Sequence, residues 1–133
     1  NYEGSEPKGE IVVLCGPPTL LPRELGSLTP GVSLTFNMRE AIEGADVVMM
    51  LRLQRERMEQ GLIASLDDYH RDYGLTEARL KRAATDAAVM HPGPINRGVE
   101  IDNVVADGPQ SLILKQVANG VAARMAVLET LLA

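Results

Sequence analysis

Apolar residues follow two rhythms along this chain: short unbroken runs, and stretches where they recur every three or four positions. Glu10 to Gly16, EIVVLCG, is an unbroken run stopped by Gly16-Pro17-Pro18, the pattern of a strand buried on both faces. Val47 to Leu53, VVMMLRL, repeats that pattern, and its Met49-Met50 pair reads as core. Val32 to Phe36 predicts a more exposed strand, and Ala87 to Met90 a short one ending at His91-Pro92-Gly93-Pro94. Val104 and Val105 suggest a small strand or turn.

Helices fall between these runs. Leu20 to Leu28 fits a short helix after the prolines. Met38 to Gly44 fits another, with Asn37 as N-cap and Glu40 three residues on. Asp67 to Tyr73 predicts a helical turn, and Thr76 heads a helix with Glu77 in its first turn and Lys81 and Arg82 near its end. The longest predicted helix is Ser111 to Leu132, where Leu114, Val117, Val121, Met125, Leu128 and Leu132 form a stripe and Pro109 suits the first turn. Asn1 to Gly9 has no periodicity and reads as a tail or linker, which leaves residues 10–133 as one domain. Alternating strands and helices predict an α/β fold: a three-layer parallel sheet with helices on both faces.

Composition narrows the function classes. The 133 residues are 45% hydrophobic and 23% charged, an ordinary globular balance, but only 3% aromatic, with no Trp and one Phe. So few rings argue against base-stacking modules, and a net charge of -5 offers no general attraction to nucleic acid or anionic membrane. No apolar run approaches a membrane span, and no signal-peptide pattern opens the chain. The single cysteine, Cys15, rules out an intrachain disulfide, fits a reducing cytosol and reads as a small buried residue. His70 and His91 lack metal-ligand spacing, so no metal is expected, and no phosphate-binding or dinucleotide-binding glycine loop occurs.

In open parallel sheets, ligands collect beyond the C-terminal ends of the strands. Three predicted strand ends carry unusual residues: Gly16-Pro17-Pro18, Arg52-Leu53-Gln54 and His91-Pro92-Gly93-Pro94. Arg52 and Gln54, two apart on a strand, would share a face and present a guanidinium fork beside an amide, a pocket for a small carboxylate. The plainer alternative is a solvated strand end paired with Glu56 or Glu59. Two prolines around a glycine leave the carbonyls of His91, Pro92 and Gly93 without regular partners, free to accept from a ligand N–H. Such turns often hold a cis bond, here before Pro92 or Pro94. The plainer alternative there is a tight turn with a capping histidine. Arg71, Arg79, Lys81 and Arg82 read as the solvated faces of their helices.

LRLQRERM (Leu51 to Met58), YHRDYGLTEARL (Tyr69 to Leu80), MHPGPINRGVEI (Met90 to Ile101) and QSLILKQVANGVAARMAVL (Gln110 to Leu128) together resemble the aspartate carbamoyltransferase catalytic chains. CGPPTLLP (Cys15 to Pro22) is similar as well. Ornithine-type relatives typically carry His-Cys-Leu-Pro in the loop, so His91-Pro92-Gly93-Pro94 favours aspartate. The resemblance implies a Rossmann-like domain lacking its first strand–helix unit. It also implies carbamoyl transfer from carbamoyl phosphate to the α-amine of L-aspartate in pyrimidine biosynthesis, without a cofactor, in the cytoplasm. Carried over by motif, Arg52 would hold an aspartate carboxylate with Gln54 beside it. Pro92, Gly93 and Pro94 would line the carbamoyl phosphate site, with Gly93–Pro94 cis, and Met58 to Leu80 would be a mobile loop closing over aspartate. No residue here is marked as catalytic. The family's Ser-x-Arg-Thr-Arg phosphate loop and His-Pro-Thr-Gln segment do not occur in this sequence. The chain alone is therefore expected to be inactive and to need an N-terminal domain or chain, or a homo-oligomer, a trimer in the family. The second half of the last helix, with Met125, Leu128, Leu131 and Leu132, is expected to show an apolar patch. The alternative is a non-catalytic relative serving as a ligand-binding or assembly partner.

Overall fold

The computed structural model describes residues 12–18, 31–53 and 65–132. Two compact units divide the chain, residues 1–41 and 42–133. In the first, strand β1 (Val12–Cys15) runs parallel to β2 (Val32–Thr35), pairing Val12 with Val32 and Cys15 with Thr35. Cys15 is half-buried, less enclosed than its apolar run suggests. Helix α1 (Met38–Ile42) follows, and Asn37 caps it as expected. The Arg39 N–H donates to Asn37 Oδ1 at 3.1 Å, while Asn37 Nδ2 reaches Glu40 Oε1 at 3.0 Å. The helix predicted at Leu20 to Leu28 lies outside the described residues.

The second unit carries the site. Strand β3 (Val47–Met49) runs parallel to β4 (Ala88–Met90), with Val48 opposite Val89 and Met49 opposite Met90. On its other side β4 meets residues 110–112: the Val89 N–H donates to Gln110 O at 2.9 Å, and the Leu112 N–H to Val89 O at 2.8 Å. Val89 is fully buried between them. The β3 stretch is not buried on both faces. Val48, Met50 and Leu53 are buried, whereas Val47, Met49 and Leu51 are 52%, 50% and 63% exposed. The Met49-Met50 pair is thus split by the two-residue period of an extended chain.

The helices are α2 (Leu66–Tyr73), α3 (Glu77–Leu80), α4 (Asn103–Ala106) and α5 (Ile113–Leu132). Ser65 and Asp68 bond reciprocally at the start of α2: the Asp68 N–H donates to Ser65 Oγ at 3.0 Å and the hydroxyl donates to Asp68 Oδ2 at 2.8 Å. Gly74 ends α2, where a Cβ would sit 2.7 Å from the His70 carbonyl. Thr76 caps α3 as expected. Arg79 departs from the predicted solvated role. Its guanidinium donates to the carbonyls of Arg71, His70 and Gly74, satisfying the open end of α2. Arg71, Lys81 and Arg82 do lie on the surface, paired with Asp68 and Asp72, Glu77, and Glu43.

Val104 and Val105 belong to a helix and not to a strand. Asp102 stands at the N-cap position of α4, and Val105 and Ala106 bury one side of the turn. Local β propensity yields here to that burial. Helix α5 begins later than expected, leaving Pro109 four residues outside it, because residues 110–112 are committed to pairing with β4. Within α5 only Ile113 is buried. Met125, Leu128, Leu131 and Leu132, the residues of the anticipated patch, are 57%, 56%, 76% and 83% exposed, and Leu114 in the first turn is 86% exposed. Among the described residues no helix is long and apolar enough to cross a membrane.

Leu75 and Ile101 are fully buried and form a parallel bridge. The Leu75 N–H donates to Glu100 O at 2.9 Å, and the Asp102 N–H to Leu75 O at 3.1 Å. Met58 to Leu80 is therefore not one loop: from Ser65 onward it is capped, helical and fastened to residues 99–102. Two outcomes are expected. Leu75→Ala or Ile101→Ala should cost about 2–5 kcal/mol in urea unfolding, whereas Val104→Ala should stay within about 0.5 kcal/mol. The chain alone should self-associate through the exposed α5 stripe, and Leu128→Asp with Leu131→Asp should return it to monomer by light scattering. A parent chain that is already monomeric and binds no apolar dye would refute the second.

Candidate functional site

The parallel ladder explains why irregular chain gathers at one rim. The Ala88 N–H donates to Asp46 O and the Met50 N–H to Met90 O, both at 2.9 Å, so β4 donates toward β3 from every second residue. The next donor in that series would be residue 92, which is proline and has no N–H. The ladder stops there, and β3 and β4 release their chains side by side at their C-terminal ends. Arg52 and Leu53 follow on one chain, and His91 to Pro94 on the other.

Arg52 is exposed and makes no hydrogen bond or ion pair with any described residue. Gln54 lies outside the described residues. Pro92 and Pro94 are exposed, Gly93 is half-buried, and the Gly93–Pro94 peptide is cis, as the family resemblance implied. Gly93 sits at φ +66°, where a side chain is strained, and a Cβ there would lie 3.2 Å from Val117 Cγ2 on α5. The carbonyls of His91, Pro92 and Gly93 accept no hydrogen bond among the described residues. A guanidinium and a run of carbonyls, none of them bonded among the described residues, thus share one rim. Asn96 joins them by donating from Nδ2 to the Leu53 carbonyl at 3.0 Å.

Beneath the loop lies a buried polar cluster that the sequence did not announce. His91 and Glu100 are both fully buried. The His91 N–H donates to Gln116 Oε1 on α5 at 2.8 Å, and the Gly93 N–H donates to His91 Nδ1 at 2.8 Å. Nδ1 is therefore the acceptor, which leaves the proton of the neutral ring on Nε2. Nε2 lies 3.3 Å from Glu100 Oε1, a close contact out of line for a hydrogen bond, so neither Nε2 nor Glu100 Oε2 gains an aligned partner. Glu100 Oε1 accepts from the Asn96 N–H at 2.6 Å. Burial holds the His91 pKa below its ordinary 6.5, against the upward pull of the Glu100 carboxylate. The capping histidine and the carbonyl-rich loop prove compatible, since the cap is what presents the loop. One signal for Glu100 was available: an acid between Val99 and Ile101, both of which are buried.

His70 is a second anchor, with Nδ1 3.1 Å from Val99 O and Nε2 3.3 Å from Asp102 Oδ1. No group of His, Cys, Asp and Glu suited to a metal occurs among the described residues. A cavity of about 350 Å³ opens near Leu80, Thr85, Val105 and Pro109, at the opposite, N-terminal ends of the strands, and contains none of the predicted site residues.

An α/β domain whose parallel strands release an arginine and a carbonyl-rich turn at their C-terminal ends has its irregular chain where open sheets of this class gather their ligands. The sequence profile "Aspartate/ornithine carbamoyltransferase, Asp/Orn binding domain" matches residues 23–131, and the chain belongs to that family. It is 64% identical over 124 residues to the aspartate carbamoyltransferase catalytic subunit of Xanthomonas campestris pv. campestris (strain B100), covering 93% of this chain and 38% of that protein. The Xylella fastidiosa (strain Temecula1) subunit is 63% identical over the same shares. Among solved structures, the aspartate transcarbamoylase of Trypanosoma cruzi in complex with carbamoyl phosphate superposes with a TM-score of 0.71 at 27% identity, covering 90% of this chain and 39% of that one. Ornithine carbamoyltransferase from Burkholderia thailandensis gives 0.69 at 26% identity, covering 88% and 37%. The chain spans 38% of the length of the curated relatives it matches.

The depressed His91 pKa fixes a sign for pH dependence. Between that value and 6.5 the unfolded chain binds more protons than the folded one, so stability rises with pH across this window. Lowering pH from about 7.5 to about 5.5 should reduce the urea midpoint, and His91→Asn, which keeps an acceptor for Gly93, should flatten that slope. An equal slope in the variant would remove His91 as its source.

Proposed function

We propose that this chain is the aspartate-binding half of a cytoplasmic aspartate carbamoyltransferase of pyrimidine biosynthesis. Residues 10–133 form the domain and residues 1–9 a tail. Arg52, with Gln54 beside it, holds a carboxylate of L-aspartate, and Pro92, Gly93 and Pro94 border the carbamoyl phosphate site. The supporting observation is the shared rim. Arg52 and the carbonyls of residues 91–93, which have no bonding partner among the described residues, leave adjacent parallel strands together, joined by the bond from Asn96 to Leu53.

The chemistry needs those two features. Free carbonyls accept the N–H groups of the carbamoyl moiety, and a guanidinium fork fixes a carboxylate so that the α-amine faces the carbamoyl carbon. The amine lone pair forms the C–N bond, the carbon–oxygen bond to phosphate breaks with its electron pair, and the amine proton passes to the departing phosphate. Donors for the departing phosphate and the developing oxyanion come from the remainder of the enzyme, as another domain or a neighbouring copy in a homo-oligomer such as a trimer.

Grafting this chain in place of the matching 124 residues of the X. campestris subunit tests the reading. The chimera should carbamoylate L-aspartate and not L-ornithine, while the isolated chain should show little or no turnover. Arg52→Ala in the chimera should lower kcat/KM for aspartate by about 10²-fold or more. A chimera that folds but is inactive with aspartate would sink the proposal, as would an Arg52→Ala variant with parent kinetics.

A further inference from the structure

Burying a carboxylate is costly, and Glu100 is fully buried with one oxygen unpartnered. Its place is fixed from outside the loop: its carbonyl takes the Leu75 N–H, and its neighbours Val99 and Ile101 are core. From that fixed point its Oε1 reaches two ways. Toward the Arg52 chain, it accepts from the Asn96 N–H at 2.6 Å, and the Asn96 side chain donates to the Leu53 carbonyl at 3.0 Å. Toward the proline loop, it stands 3.3 Å from His91 Nε2, and His91 Nδ1 takes the Gly93 N–H at 2.8 Å. One oxygen atom thus bonds the first arm and lies in close contact with the histidine that holds the second.

We infer that Glu100 is a positioning residue that sets the spacing between the Arg52 arm and the Gly93 arm, acting through Asn96 on the first and through His91 on the second. The inference rests on the function proposed above. Packing alone gives no reason for a carboxylate here. An uncharged side chain of like volume would fill the space without the cost of a buried charge, and replacing such charges is often neutral or stabilising. The carboxylate offers an acceptor strong enough to hold a backbone N–H while facing a histidine that carries its proton on the near nitrogen. The consequence is a split between the two arms. Asn96 serves only the Arg52 arm through its side chain, because its bond to Glu100 runs through the main chain and survives truncation.

The chimera separates these roles. Glu100→Gln should raise KM for aspartate and lower kcat, each by about tenfold, since misplacement of even about 1 Å is kinetically expensive. Its melting temperature should stay near the parent's. Asn96→Ala should raise KM for aspartate by a similar factor and leave KM for carbamoyl phosphate unchanged. The inference is overturned by parent kinetics in Glu100→Gln, or by Asn96→Ala moving both KM values alike. If Glu100→Gln does not fold, the Asn96→Ala split decides, as Asn96 is only half-buried. If the parent chimera folds but is inactive with aspartate, the functional reading fails. Amide resonances of the chain then decide the positioning claim: Glu100→Gln must shift both Gly93 and Asn96, and a shift of Asn96 alone overturns it.

Discussion

Proline contributes no N–H to a ladder, and at residue 92 that omission decides where sheet ends and site begins. The alternation set up by Ala88 and Met50 requires a donor at 92. With none available, β3 and β4 part company after Met49 and Met90, and the next few residues of each chain are free of β geometry. Everything distinctive at this rim follows: an arginine and three carbonyls without bonding partners among the described residues, and a glycine at positive φ where a Cβ would crowd Val117 of α5. A donor at 92 would let the ladder continue and consume the groups a ligand would use.

Freedom at a strand end is useful only if its geometry is held, and here the holding is done from below. Regular hydrogen bonds cannot restrain a segment that has left the sheet, so side chains take over. Gln116 receives the His91 N–H, His91 receives the Gly93 N–H, and Glu100 receives the Asn96 N–H. Residues 99–102 are in turn tied to Leu75 and to His70. This couples α2 and α3 to the loop. Any movement of residues 65–80 would carry residues 99–102 along or break buried bonds.

The legible part of the sequence was whatever local chemistry decides. Asn37 and Thr76 are caps because a short oxygen side chain satisfies orphan N–H groups wherever a helix starts. The proline-bracketed Gly93 stood out because no regular element tolerates that combination. Tertiary contacts hid the rest. Val104 and Val105 favour strands in isolation but lie on a helix whose inner side is buried. Arg79 looks like any solvated cation until the end of α2 arrives beneath it. Met49 and Met50 are indistinguishable by composition, and only the sheet's pleat separates them. Glu100 was hardest to read, because a charged letter ordinarily signals solvent.

The α5 helix closes the physical account. Its first turns are held by the loop through Gln116 and Val117, yet most of its apolar side chains face water. The sequence stripe is real, but a stripe specifies only that a partner surface is required, not which one. The end of the helix that touches the loop is held by contacts within this unit, and the apolar side chains of the other end are exposed. Cover over the distal half would restrain α5, and α5 in turn leaves no room for a side chain at Gly93 and holds His91 through Gln116. An apolar contact far from Arg52 thereby bears on the carbonyl loop, through the same side chains that replace the missing ladder.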